Sequence, residues 1–108
     1  MENLNPAMFE EYVLTTSASV IFCSRKGCHV CQGIHPLLDE LEQEFQQSNV
    51  GFYHLDVEEQ PLLFQTLHGK GVPQVLYYHY GEILERFVGE HSLDEYAYRL
   101  SQILEEKK

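Results

Sequence analysis

Tryptophan is missing from this chain, and lysine and arginine together number only seven against seventeen aspartates and glutamates. The formal net charge of −10 argues against nucleic acid as a partner, because binding phosphates takes a positive face. It argues equally against docking on anionic membranes. So acidic a surface reads either as a well-solvated exterior or as a means of selecting among charged partner proteins. Long apolar runs are also lacking, since none approaches the ~20 residues of a membrane-spanning helix. The start, Met1-Glu2-Asn3-Leu4-Asn5-Pro6, has no basic segment followed by an apolar one, so no secretory leader is expected. No repeat, low-complexity tract or Pro/Ser-rich linker interrupts the chain, and residues 1–108 are expected to form a single domain. Cysteine is sparse, at three residues. In the reducing, cytoplasmic setting these features suggest, paired cysteines tend to be catalytic or metal-binding rather than structural staples.

What is present is a pair of cysteines in a telling place. Cys28-His29-Val30-Cys31 follows an apolar, strand-like run, Ser19-Val20-Ile21-Phe22-Cys23, and opens a helix-like run from Gln32 to Gln47. A helix start offers unpaired N–H groups and the positive end of the peptide dipole. A thiolate held there is stabilised and becomes a usable nucleophile near neutral pH. The pair is therefore a candidate redox centre; a structural disulfide or half of a metal site are the alternatives.

Periodicity supplies the rest of the framework. Asn5-Pro6 reads as a cap followed by proline at the first helical position. It leads a short helix to about Thr15 that buries Met8, Phe9, Tyr12 and Val13. The second helix carries Ile34, Leu37, Leu38, Leu41 and Phe45 on one face, with Pro36 inside it as a kink. Val50 to Val57 predicts a strand, Pro61 to Leu67 a short helix ended by Gly69-Lys70-Gly71. Val75–Tyr80 and Ile83–Val88 predict a hairpin about Gly81. Ser92 and Glu95 have capping-box spacing ahead of a helix from Leu93 to about Glu105 that buries Leu93, Tyr96, Leu100, Ile103 and Leu104. Alternating elements followed by a hairpin predict an α/β protein, a mixed sheet with helices on both faces.

These anchors, in this order and at these separations, resemble the thioredoxin family over nearly the whole chain. Cys28 and Cys31 stand where the family's active-site pair belongs, and Pro36 matches its kink proline. Leu55-Asp56-Val57 with Pro61 matches the approach to the third helix. Gly71-Val72-Pro73-Gln74 matches the cis-proline segment, Gly81-Glu82 the hairpin turn, and Phe87-Val88-Gly89 the run before the last helix. The resemblance implies a three-layer α/β/α thioredoxin fold around a mixed sheet of four to five strands. It implies a thiol–disulfide oxidoreductase that needs no cofactor beyond the Cys28–Cys31 disulfide.

By the same resemblance Cys28 is the exposed nucleophile, forming a mixed disulfide with a protein substrate, and the more buried Cys31 resolves it. Pro73 is expected to be cis. Val72 is expected to pair with an extended substrate segment, with Val57 and Gly89 completing an apolar rim. The implied partners are disulfide-containing proteins and a thioredoxin reductase or other thiol donor, acting on a monomer.

Departures from the family pattern are specific. Gly27 replaces the usual tryptophan before the first cysteine, His29-Val30 replaces Gly-Pro, and Gln32 replaces a frequent lysine. The loop from Phe22 to Cys28 is one residue longer than usual. The family's buried acid falls near Ile21, where there is none. Protonated His29 beside Cys28 favours the thiolate and hence the reduced form, making the pair less reducing than a Gly-Pro thioredoxin; otherwise His29 is a solvent-exposed side chain. His54 stands where the family often has a lysine. It is either a proton acceptor for Cys31 or a half-buried histidine satisfied by the backbone. Cys23 is expected to be a core thiol. No metal is expected, although Cys28, Cys31 and His35 have a spacing that could supply three ligands. A non-catalytic binding module on the same fold is the other alternative.

Overall fold

A computed structural model describes residues 1–105. Its elements in chain order are β1 (Glu2–Asn3), α1 (Pro6–Met8), β2 (Ser19–Ser24), α2 (His29–Glu44), β3 (Gly51–Asp56), α3 (Pro61–Thr66), β4 (Gln74–His79), β5 (Glu82–Val88) and α4 (Leu93–Glu105). One five-stranded sheet runs in the order β1-β3-β2-β4-β5. β3 is parallel to both β1 and β2, whereas β4 is antiparallel to β2 and to β5. The sheet is thus mixed and reaches five strands through β1, a two-residue strand too short to show any periodicity.

β2 is buried along all six residues because it has a strand on each side and helices on both faces. Its alternation divides the interior. Val20 and Phe22 join the core that contains Ile34, Leu38 and Leu41 of α2 and Tyr96, Leu100 and Ile103 of α4. Ile21 and Cys23 join the opposite core, with Phe9, Val13, Leu63 and Leu67. Helices therefore cover both sides of the sheet, giving three layers.

The first helix departs from expectation. Only Pro6–Met8 is α-helical, capped by Asn5 Oδ1 accepting the Met8 N–H at 2.8 Å. Phe9–Val13 continues as a π-helical turn closed by the Leu14 N–H donating to the Phe9 carbonyl at 3.0 Å. The wider turn keeps Phe9 and Val13 inside but rotates Tyr12 outward, leaving it 45% exposed. The β4–β5 hairpin closes through Tyr80 and Gly81, at φ 47° and 81°. Two left-handed residues give the primed turn that matches strand twist, and glycine holds the second without strain. The expected capping box is formed: Ser92 Oγ accepts from the Glu95 N–H at 3.1 Å, and Glu95 Oε1 from the Ser92 N–H at 3.0 Å.

Candidate active site

The pair of cysteines lies where β2 hands the chain to α2. Gly27 turns the chain at φ +80°, and Cys28 is extended, at φ −87° and ψ 104°. Cys28 is itself the cap of α2, its Sγ accepting the Cys31 N–H at 3.2 Å. The helix consequently begins at His29, earlier than the expected Gln32. The two sulfurs are 2.29 Å apart and form a disulfide, with Cα atoms 5.3 Å apart. Cys28 is 8% exposed and Cys31 4%. Cys28 is the more exposed of the two, but it is not openly exposed: it belongs to the buried cluster that includes Ile34, Leu38 and Leu41 of α2. His29 and Val30, between them, are exposed on the first helical turn.

Beside the disulfide is a cleft of about 490 Å³ whose walls include Cys28, Cys31, Phe22, His35 and His54. Strand register explains its floor, since Phe22 and His54 are neighbours across β2 and β3. The β2 residues facing this cleft are therefore Phe22 and Ser24. Ile21, where an acid was sought, points into the opposite core.

His54 is half-buried. Its Nε2 lies 2.5 Å from Ser24 Oγ, and its Nδ1 3.4 Å from Asn3 Oδ1. Because an amide oxygen only accepts, a neutral ring protonated at Nδ1 satisfies both contacts. Burial, and after it the neighbouring His35, lower the His54 pKa from its ordinary value; Asp56 and Glu59 oppose that shift. His35 also belongs to this cluster. Its ring centroid is 6.2 Å from that of His54 and 6.0 Å from that of Phe22, and its Nδ1 is 3.2 Å from Asp39 Oδ2. Sequence reasoning weighed His35 only as a metal ligand or a plain surface residue. The useful signal was its position one helical turn after Cys31. Ser24 and Asn3 carried no signal, being brought to His54 by β3.

The expected substrate-contact residues gather around a second lobe. The Val72–Pro73 peptide is cis, and Val72 packs against the core that holds both cysteines. Val57 and Val72 share one cleft, and Val72 and Pro73 a neighbouring one. The Gly89 N–H donates to the Pro73 carbonyl at 3.2 Å, placing Gly89 beside the cis-proline. Cys23 is the free cysteine, fully buried, and burial pushes its thiol up to about 12. It is a core thiol and is not part of this site. Among the described residues no group of three or more His, Cys, Asp and Glu is arranged to hold a metal ion. Cys28 and Cys31 are bonded to each other, and His35 is turned to Asp39. Among the same residues no helix is long and apolar enough to cross a membrane.

A disulfide capping a helix, a cis-proline segment beside it and a mixed sheet between helical layers define a redox protein of thioredoxin type. The Thioredoxin family model matches residues 1–102, and the chain belongs to that family. It is 27% identical over 90 residues to a chloroplastic M-type thioredoxin of Spinacia oleracea, covering 82% of this chain and 49% of that protein. It is 29% identical over 83 residues to thioredoxin Asp f 29 of Aspergillus fumigatus, covering 76% of each. A putative thioredoxin-5 of Dictyostelium discoideum is 25% identical over 92 residues, covering 85% and 88%. The chain thus spans about half the length of the spinach relative and most of the other two. Among solved structures, Malassezia sympodialis thioredoxin (Mala s 13) superposes with a TM-score of 0.83 at 21% identity, over 93% of this chain and 86% of that one. This likeness shows the fold. The family works through a redox-active disulfide without a further cofactor, which supports thiol–disulfide chemistry at family level.

Proposed function

We propose that the chain is a thiol–disulfide oxidoreductase that exchanges its Cys28/Cys31 pair with disulfides of protein substrates. The observation that carries this reading is the Cys28–Cys31 disulfide capping α2 beside an open cleft. In the reducing direction the Cys28 thiolate attacks one substrate sulfur, and the other leaves as a thiolate. The Cys31 thiolate then attacks Cys28 Sγ, closing the Cys28–Cys31 disulfide and releasing the second substrate thiolate. Two electrons pass to the substrate, and its two thiolates take up protons. A thioredoxin reductase or another thiol donor restores the dithiol. The chain acts in this reading as a cytoplasmic monomer.

The site supports roles for individual residues. The Cys31 N–H that meets Cys28 Sγ is equally placed for a thiolate, and the helix start favours that charge. His29 adds positive charge beside it when protonated. His54, whose lowered pKa favours the neutral ring, accepts the proton of Cys31 at Nε2, which releases the Ser24 hydroxyl as it does so. Val72, Pro73, Val57 and Gly89 receive the substrate backbone in extended form.

Dithiothreitol-driven reduction of insulin tests the reading. The wild-type chain should accelerate precipitation of the reduced B chain, and Cys28→Ser should run at the uncatalysed rate. A Cys28→Ser variant as fast as the wild type would defeat it.

A further inference from the structure

The cations of this acidic chain are unevenly placed. Two of those among the described residues serve the fold. Arg86 donates to Gln74 Oε1 at 2.6 Å and to the Leu67 carbonyl at 2.7 Å, and Arg99 donates to Glu85 Oε1 at 2.9 Å. The other three, Arg25, Lys26 and Lys70, are exposed and make no ion pair among the described residues. Two of them stand at the dithiol and the third lines a cleft that shares Arg25 with it. Arg25 and Lys26 line the cleft that contains both cysteines. Lys70, in the loop before the cis-proline, shares with Arg25, Val57 and Val72 a cleft of about 480 Å³. Asp56 is the carboxylate on the wall of the dithiol cleft, and its Oδ1 accepts the Glu58 and Glu59 N–H groups at 2.9 and 3.2 Å; Glu58 and Glu59 are exposed just past Val57, and Glu90 shares a separate cleft with Val30.

We infer that the preferred substrates are disulfides whose cysteine is flanked by acidic side chains, seated in the cleft between Arg25 and Lys70. This inference rests on the oxidoreductase reading proposed above. At physiological ionic strength the Debye length is about 8 Å. Carboxylates on distant faces are therefore largely screened, while the two cations flanking the cleft are felt at contact. An acidic segment entering there meets unpaired positive charge on both sides, and a basic one meets repulsion from Arg25 and Lys70 that Glu58 and Glu59 offset only at the margin. The redox step is unchanged, with two electrons passing from the dithiol to the substrate disulfide.

The test uses the full chain and three disulfide peptides of equal length whose cysteines are flanked by Asp/Glu, by Ser/Asn or by Lys/Arg. At 0.15 M salt the acidic peptide should react about fivefold faster in kcat/KM than the neutral one, as a few exposed ion pairs would supply. The acidic-to-neutral ratio should fall toward one at 1 M salt, and in the double variant Arg25→Gln, Lys70→Gln. Because the ratio is taken within one protein, it is independent of any general loss of stability. A wild-type ratio of one or below overturns the inference, as does a preference that the double variant keeps. Failure to reduce any of the peptides would instead bring down the oxidoreductase reading, and this inference with it.

Discussion

Phe22 and His54 face each other across β2 and β3, and together they alter what lies behind Cys31. With Phe22 on β2 beside the cleft, the proposed reading takes the base for Cys31 from another element. His54 is the titratable group on the cleft wall whose environment keeps it neutral. It is faced by His35 from α2, Ser24 from β2, Asn3 from β1, the N-terminal ammonium of Met1, Asp56 at the end of β3 and Glu59 in the turn after it. Since its pKa is lowered, activity should fall as pH drops through a value below the ordinary histidine range. His54→Gln should abolish that acid-side inflection and slow turnover above it by up to about a hundredfold, the low end of general-base contributions. The kcat/KM profile from pH 5 to 8 checks this, and superimposable profiles would show that His54 only packs. Cys28 and Cys31 could be read in the sequence because their spacing is local, and the cis-proline segment was implied by the family resemblance. The His35–His54 pairing could not, because it depends on strand register and helix rotation together.

At the level of elements, helices with strong local signals were legible and those shaped by long-range packing were not. Leu38, Leu41, Leu100 and Ile103 lie at helical spacing, and all are buried. The start of α2 was misplaced because cysteine is an unusual cap, and only its geometry reveals the bond from the Cys31 N–H. The π-helical turn at Phe9–Val13 was equally hidden. An i→i+5 bond leaves no periodic mark over five residues, and the turn is selected by burying Phe9 and Val13 against the sheet. The capping box of α4, by contrast, is a sequence motif that the structure forms in full. Ser92→Ala should therefore cost about 1 kcal/mol, seen as a lower urea midpoint with an unchanged slope. A midpoint equal to that of the wild type would mean that water replaces the cap without loss.

For the whole molecule, histidines make the stability dependent on mild acid, with opposite signs. Burial lowers the folded pKa of His54, so between the folded and unfolded values the unfolded chain binds more protons. Its effect is to reduce stability as pH falls below about 6.5. His91 is raised, chiefly by its hydrogen bond to Glu95. Its contribution is therefore fully present below about 6.5 and fades as pH rises through the folded value. Relative to the wild type, His54→Gln should gain urea stability between pH 7 and pH 5, while the loss in His91→Ala should deepen over the same interval. Differences independent of pH would contradict both assignments. In the proposed reading the sheet and its two cores hold Cys28 at the start of α2, from where its sulfur joins covalently with a substrate protein. The most direct test incubates Cys31→Ser, in the full chain, with an oxidised protein substrate. A dithiothreitol-sensitive adduct attached at Cys28, of the summed mass, should accumulate because nothing resolves it. No adduct, or one attached through Cys23, would contradict the account.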